Sequence, residues 1–487
     1  MQSYVQNPQI HAQAVKDPKL LGGPFIDLQG QNISEISEMI EYTKNECKKL
    51  IELNSALKEI DKLLQNEAKG YSLEEFYNRI PEPLKGMIEL VYDLNNHPSV
   101  RLIEPFIYKK YYNSSSQQIA ISHINNDFRN FVLSTPRIEN ENELRLDIPF
   151  YDKRLDYLFS LKKEPQPIEN IIETFNIVGS KQNLFKSFFT TTIPSKSPDN
   201  NYYDEGVRIR YFGHACILVQ TKEISILFDP VISYSYEGEI DRYTFNDLPD
   251  HIDYVVITHN HQDHLMFETL LQLRHKIGNI IFPSNRKGEL ADPSIKLILE
   301  YTGFSSLIEF SELSTFTIKD GIIIGLPFFG EHSDLNIQSK LSYFINIKNN
   351  KLLFAADSNN LDKALYDNIY NITGAIDMLF IGMECNGAPL SWLYGPLLSS
   401  PISRSCDRSR TLSGSDFNKA WSIAEKLQCK QAYIYAMGQE PWLNYVMALN
   451  YLPDSPQILE SNKFIEACHK ANIKSERLLY KREWIIT

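Results

Sequence analysis

Histidine is scarce in this chain, with eleven residues among 487. The six cysteines (Cys47, Cys216, Cys385, Cys406, Cys429 and Cys468) are widely scattered and form no C-x-x-C pair. That spacing argues against a cysteine-based structural zinc and for reduced thiols rather than a disulfide frame. No apolar run approaches the roughly 20 residues of a membrane-spanning helix, so no membrane partner is expected. The amino terminus, Met1-Gln2-Ser3-Tyr4-Val5-Gln6-Asn7-Pro8, has neither the basic nor the apolar region of a secretory signal, and the cytoplasm is the expected location. Basic residues are outnumbered, 49 against 61 acidic, for a net charge of −12. Such an excess of carboxylate discourages adhesion to a phosphate backbone, and no nucleic-acid partner is expected. Internal repeats and low-complexity tracts are absent as well.

What is present is the composition of a soluble globular protein, too long for one ordinary core, so two domains are expected. Residues 1 to about 32, with Pro8, Pro18, Gly22, Gly23 and Pro24, read as an irregular arm. From Ser34 to Glu67 apolar residues recur at three- and four-residue spacing, predicting an amphipathic helix or helix pair. Ser72-Leu73-Glu74-Glu75 is a capping-box pattern that predicts another helix start, and Leu84 to Leu94 reads as helical after Pro81 and Pro83. Leu102 to Leu146 reads as a few short strands and Asp156 to Phe189 as helix. Thr190 to Asn201, polar and carrying two prolines, is the expected boundary between an α-rich mixed amino-terminal domain, residues 1–200, and a second domain, residues 205–487.

The second domain reads as strand and turn. Strands are expected at Val207–Phe212, Cys216–Val219, Ile224–Phe228, Tyr254–Ile257, Asn279–Pro283, Phe316–Ile318, Gly321–Gly325, Leu341–Ile345, Lys351–Ala355, Met378–Ile381 and Gln431–Tyr435, with a helix from about Leu265 to His275. Two sheets packed face to face with outer helices would produce this pattern.

Three of the eleven histidines fall within six positions, in Thr258-His259-Asn260-His261-Gln262-Asp263-His264 directly behind the apolar run Tyr254-Val255-Val256-Ile257. This resembles the H-x-H-x-D-H signature of the metallo-β-lactamase fold, which implies an α+β fold class, an αβ/βα sandwich behind the amino-terminal domain. The spacing suits two metals about 3.5–4 Å apart. His259 and His261 reach one ion, and Asp263 and His264 reach its neighbour. A third ligand for the first ion is expected from Gly330-Glu331-His332-Ser333-Asp334, where either Glu331 or His332 can serve. A glutamate would complete two imidazoles and one carboxylate, a set associated with non-haem iron. Asp357, at the end of Leu352 to Ala356, is placed to bridge both ions. Hydrolases of this fold close the second site with a histidine from the last strand, but the segment here is Tyr435-Ala436-Met437-Gly438-Gln439-Glu440-Pro441-Trp442. The second ion, held by Asp263, His264 and Asp357, would keep open positions.

The motifs Tyr211-Phe212-Gly213-His214-Ala215-Cys216, Thr258 to His264, Gly330-Glu331-His332, Ala356-Asp357-Ser358, Gly382 to Pro389 and Ala436 to Trp442 resemble those of the di-iron β-hydroxylase of chloramphenicol biosynthesis. The intervals between His259, Glu331 and Asp357 fit as well. The resemblance implies an oxygenase that inserts one atom of O2 at the β-carbon of an amino acid held as a thioester on the phosphopantetheine arm of a nonribosomal peptide synthetase carrier domain. It implies two iron ions, Glu331 rather than His332 as ligand with His332 behind it, and an amino-terminal domain serving dimerisation and carrier docking. No flavin, haem or iron–sulfur motif is present, so electrons would come from an external reductase. The alternative is a dinuclear zinc hydrolase attacking a lactone, thioester or phosphodiester.

Glu384 can project into the cavity as a proton relay. His214 can orient a metal-bound group, and Asp229 can buttress a histidine ligand through its free N–H. Trp392, Tyr394 and Trp442 are candidates to line a substrate channel, although core packing is the commoner fate of an aromatic. Tyr111 and Tyr112, behind Lys109-Lys110, read as a solvated patch or a docking surface.

Overall fold

The computed structural model describes residues 1–17, 25–192, 200–285, 287–447 and 449–487. Most of the expected linker, and Pro18 and Gly22 to Pro24 of the arm, therefore lie outside the described residues.

From residue 207 the chain builds two seven-stranded sheets. The first runs, neighbour to neighbour, Leu307–Phe310, Ile277–Pro283, Ile252–Val256, Ser225–Phe228, Cys216–Gln220, Val207–Gly213 and Arg482–Ile486. The second runs Thr315–Ile318, Gly321–Leu326, Ser342–Ile347, Asn350–Phe354, Met378–Gly382, Gln431–Tyr435 and Lys474–Arg477. Each sheet is antiparallel on one side and parallel on the other. The parallel strands are covered on both faces, which is why Leu352-Leu353-Phe354 and Met378 to Ile381 read as continuous apolar runs rather than alternating ones.

One core fills the space between the sheets, with Phe228 stacked on Phe354 at 3.9 Å and Phe354 on Phe380. A second lies beneath the helices Ala364–Thr373, Phe417–Lys426 and Pro456–Lys470, and a third beneath Phe267–Leu273 and Ile295–Tyr301. The layers are therefore helix, sheet, sheet, helix, the arrangement expected from the strand pattern.

The amino-terminal part is mixed and α-rich. Helices Ile33–Glu46 and Lys48–Glu67 form the expected pair, and Lys153–Ser160, Ile168–Thr174 and Lys181–Ser187 occupy the later helical stretch. Three expectations fail here. The arm is not irregular throughout, since Gln2–Gln6 and Pro8–Ala14 are helices, the second opened by Pro8 at a position where a missing N–H costs nothing. Glu74–Arg79 is a 3₁₀ turn rather than a helix, because the extended Ile80 and Pro81 follow too soon for an α-helix to propagate. Leu84 to Leu94 is no helix: Ile88–Tyr92 pairs antiparallel with Pro98–Leu102. Asp93 closes that hairpin by accepting from the amides of Asn95 and His97, a local bond that helical periodicity does not register.

Part-buried ion pairs join this part to the sandwich. Arg129 forks onto Glu268, Arg242 onto Asp127, and Arg274 binds Asp156 and the carbonyls of Phe150 and Asp152. Tyr112 belongs to the same contact zone and Tyr111 to the core of the amino-terminal part, so neither reading of them as surface holds. Tyr111 is buried with its hydroxyl on the Pro83 carbonyl, and Tyr112 packs against Tyr301 and donates to its carbonyl.

Candidate metal centre

The sandwich delivers its polar residues at the carboxyl ends of strands, where side chains are released from the sheet. His214 follows Val207–Gly213, Asp229 follows Ser225–Phe228, and Thr258 to His264 follow Ile252–Val256. Glu331, Asp357, Glu384 and Glu440 follow the corresponding strands of the second sheet. The exits are sharp. His214, Asp229, Glu331, Ala356 and Ala436 all have positive φ, a conformation that costs a non-glycine residue about 1–2 kcal/mol and concentrates at functional sites. Gly330, also at positive φ, must remain glycine, since a Cβ there would meet the Asn359 Cβ at 2.4 Å.

Asp229 organises the histidine loop. Its carboxylate accepts the Thr258 amide at 2.8 Å, the Thr258 hydroxyl at 2.6 Å and the His264 Nδ1–H at 2.8 Å. Because the Thr258 hydroxyl proton is committed to Asp229, Thr258 Oγ1 accepts from His259 Nδ1 at 3.0 Å. Both imidazoles therefore carry a proton on Nδ1 and, in the neutral form that binds metal, present a bare Nε2.

Those bare nitrogens converge. His264 Nε2 lies 3.0 Å and His259 Nε2 3.6 Å from Asp357 Oδ2. His261 Nδ1 lies 2.7 Å from Glu331 Oε1, and His332 Nδ1 lies 2.8 Å from Glu331 Oε2. Asp263 accepts from His214 Nε2 at 3.0 Å and stands 3.6 Å from His264 Nε2. Three overlapping groups result, with ligand atoms mutually within 4.8 Å: His259, His261, Glu331 and His332; His259, His264 and Asp357; His214, Asp263 and His264. Nε2 of His259, His264 and His332, Oε2 of Glu331 and Oδ1 of Asp357 are all buried without a hydrogen-bond partner. Buried polar atoms are rarely orphaned, and five gathered at one point fit cations. The donors are imidazole and carboxylate without thiolate, a set that suits iron, manganese or zinc. His259, His261 and Glu331 would hold one ion, Asp263 and His264 another, with Asp357 between them.

The charges are mutually adjusted. Burial works against the Glu331 carboxylate, but His261 and His332 hold its pKa down at about 2. Burial and the neighbouring imidazoles press His259 well below the usual histidine range, while Asp357, Asp263 and Asp229 outweigh burial at His264 and raise it. Glu384, half-buried, is pushed well above the usual carboxyl range by burial and then by Asp357, Asp263 and Glu331.

His332, expected behind the ligands, stands inside the first group with Nε2 unpartnered. Tyr394 places its hydroxyl 3.4 Å from His261 Nε2, at the edge of the cluster. Trp442 is buried beneath Gly213, where a Cβ would meet its ring at 2.8 Å, and it stacks under Arg242, so it is core. Trp392 is half-buried near Phe131. His469 bonds the Ser475 carbonyl in the last helix and takes no part.

Two residues of the site escape sequence reasoning. Glu440, buried, accepts the Tyr211 hydroxyl at 2.5 Å and the His214 amide at 2.8 Å. Tyr451 buries an unpartnered hydroxyl in the surroundings of Glu384 and Asp357. An acid in the loop that leaves the buried strand Gln431–Tyr435 was a usable signal for the first, but Tyr451 carried none.

Residues 1–193 match the domain family described as the di-iron non-haem β-hydroxylase N-terminal domain, and residues 208–328 match the β-lactamase superfamily domain. Over 99% of its length the chain is 36% identical to the 4-amino-L-phenylalanyl-[CmlP-peptidyl-carrier-protein] 3-hydroxylase of Streptomyces venezuelae, covering 92% of that protein. The crystal structure of CmlA, a di-iron β-hydroxylase from S. venezuelae, superposes with a TM-score of 0.91 at 34% identity, covering all of this chain and 92% of that one. A glutamate-to-aspartate variant of CmlA superposes at 0.90. The likeness runs through both the amino-terminal part and the sandwich that carries the histidine loop, and on that ground the chain belongs to the family of di-iron non-haem β-hydroxylases.

Proposed function

We propose that this protein hydroxylates the β-carbon of an amino acid tethered as a thioester to a carrier domain of a nonribosomal peptide synthetase. The observation that carries the reading is the full-length likeness to a 3-hydroxylase acting on an aminoacyl carrier protein, together with unpartnered imidazole and carboxylate atoms gathered at one buried point. Two iron ions held by His259, His261, Asp263, His264, Glu331 and Asp357 would supply the activation of dioxygen. One oxygen atom replaces the β-hydrogen as hydroxyl and the other leaves as water, with two electrons and two protons drawn from an external reductase.

The chain's own residues set the conditions. Asp229 and Thr258 hold His259 and His264 in the tautomer that leaves Nε2 free. Glu440 fixes the backbone of His214, and His214 fixes Asp263. Glu384, whose carboxyl burial and then Asp357, Asp263 and Glu331 push above the usual range in the metal-free protein, is placed to pass a hydrogen bond or a proton toward the cluster. Residues 1–200 serve dimerisation and carrier docking, residues 205–487 form the catalytic domain, and the protein acts in the cytoplasm. No described helix is long and apolar enough to cross a membrane.

The test is reconstitution with iron, a chemical reductant, an aminoacyl-loaded carrier and isotopically heavy dioxygen. Incorporation of one heavy oxygen into the aminoacyl group supports the reading, and its absence across a panel of loaded carriers refutes it. A second reading, the dinuclear zinc hydrolase, draws on the unpartnered Nε2 of His332 beside His259 and His261. Metal analysis separates them. About two irons per chain with a ferric absorption band supports the oxygenase, and colourless stoichiometric zinc supports the hydrolase.

A further inference from the structure

Many arginines of this acidic protein are matched by a carboxylate, as Arg129 is by Glu268, Arg242 by Asp127 and Arg274 by Asp156, while the buried or part-buried Arg208, Arg210 and Arg477 bond neutral partners. The short helix Arg404–Ser409 departs from that pattern. Arg404 and Arg408 are exposed, Arg410 follows directly, and among the described residues none of the three forms an ion pair. The acid between them, Asp407, is committed to the amide and hydroxyl of Ser391 at 2.8 and 2.7 Å. Arg404 and Arg408 stand four apart on one helical face, where like charges destabilise the helix. Asp407 keeps its charge while its oxygens serve Ser391, which leaves one carboxylate against three guanidinium groups, and the surplus at Arg404 and Arg408 faces solvent, open to an anion from outside.

The position indicates which anion. Asp407 fastens this helix to Leu390–Tyr394, and the Leu390 amide donates to the Arg410 carbonyl at 2.8 Å. Tyr394 at the end of that neighbour reaches His261, and Arg410 Nε donates to the carbonyl of Ser333, two residues beyond Glu331. The segment that carries the arginines is therefore tied by hydrogen bonds, through Asp407 and Arg410, to residues next to the metal cluster. A carrier-borne substrate brings one anion of its own, the phosphodiester that joins the pantetheine arm to the carrier. Guanidinium forks match phosphate oxygens in pairs, which a lysine ammonium cannot do.

We propose that Arg404 and Arg408, assisted by Arg410, form a binding site for the phosphate of a phosphopantetheine arm, whose neutral amide segment then runs along Leu390–Tyr394 toward the cluster. The site names where the arm is gripped and rests on the hydroxylase reading for the arm's cargo. It differs from recognition of the carrier's protein surface in requiring the phosphate.

Cys406, the one exposed cysteine, lies between the two arginines and reports on the site. Its alkylation by N-ethylmaleimide, followed by peptide mass spectrometry on the full iron-loaded protein, would be measured with S-acetyl-phosphopantetheine, S-acetyl-pantetheine or inorganic phosphate. Each protein is compared with itself without ligand. S-acetyl-phosphopantetheine should slow the alkylation, and the other two should not at equal concentration. In R404A/R408A the half-protecting concentration should rise roughly 10-fold or more, with R404K/R408K intermediate and iron content unchanged in both. Equal protection by S-acetyl-pantetheine or by inorganic phosphate, protection unaltered in R404A/R408A, or no protection at all would each overturn the site. A wild-type protein that hydroxylates a loaded carrier without phosphate-dependent protection loses this site and keeps the function. Protection without hydroxylation leaves the site and removes the function.

Discussion

Asp229 accepts the Nδ1 proton of His264 across 2.8 Å, and both side chains are sealed from solvent. Removing the carboxylate by Asp229→Ala frees the tautomer of His264 and releases Thr258, which in turn orients His259. Loss of such a partner behind a metal ligand typically weakens the metal by about 10–100-fold. Titration of metal-free protein with ferrous ion against a chromophoric chelator measures this, and unchanged affinity would show that the loop holds its histidines without Asp229.

Asp357 stands within 3.0 Å of His264 and 3.6 Å of His259, imidazoles assigned to different ions. Asp357→Ala should therefore lose both metals, because one carboxylate is asked to hold the two charges together. Metal content per chain after desalting gives the answer, and retention of one full equivalent would refute the bridging role.

Glu331 and His332 compete for the same corner. Glu331→Ala should empty mainly the first site while His332→Ala keeps both ions, since the glutamate faces His261 at 2.7 Å. If His332→Ala strips metal and Glu331→Ala does not, the site is of the three-imidazole type.

Glu384 has a raised pKa, so in metal-free protein its acid form adds stability that is complete below the free carboxyl range. That stability is lost as pH climbs toward the folded-state value. Glu384→Gln removes the titration. The variant should gain on the wild type by up to about 1.4 kcal/mol for each pH unit between those limits. Urea unfolding of both metal-free proteins at about pH 5 and about pH 7 tests it, and a difference independent of pH would place Glu384 in an environment that does not favour its acid form.

The sandwich was legible because its central strands are buried on both faces and stand out as unbroken apolar runs such as Met378 to Ile381. The histidine loop was legible because its donors are contiguous. The hairpin Ile88–Tyr92 was not, since its apolar spacing fits a helix as readily and the deciding bonds are made by one aspartate to a turn. Tyr111 and Tyr112 read as surface because their partners, Pro83 and Tyr301, stand 28 and 189 residues away in the chain. Glu440 stayed hidden for the same reason: it acts on Tyr211 and His214, more than two hundred residues upstream.

His214 has both of its backbone groups engaged by the opposite sheet's exit loop: its carbonyl accepts the Ala436 amide and its amide donates to Glu440. The Thr258 carbonyl likewise accepts from Leu341 across the sandwich. The two sheets are thus stitched backbone to backbone at the end that carries the ligands, and sliding of one sheet over the other is blocked there. At the far end the sheets are joined by side chains, Thr221 to Asp320 and Lys348 to Glu205, which yield more readily than backbone bonds, so breathing of the sandwich pivots about this seam. The ligand cluster occupies the pivot, where angular motion of whole sheets produces the least displacement, so its spacing is insulated from slack in the rest of the molecule.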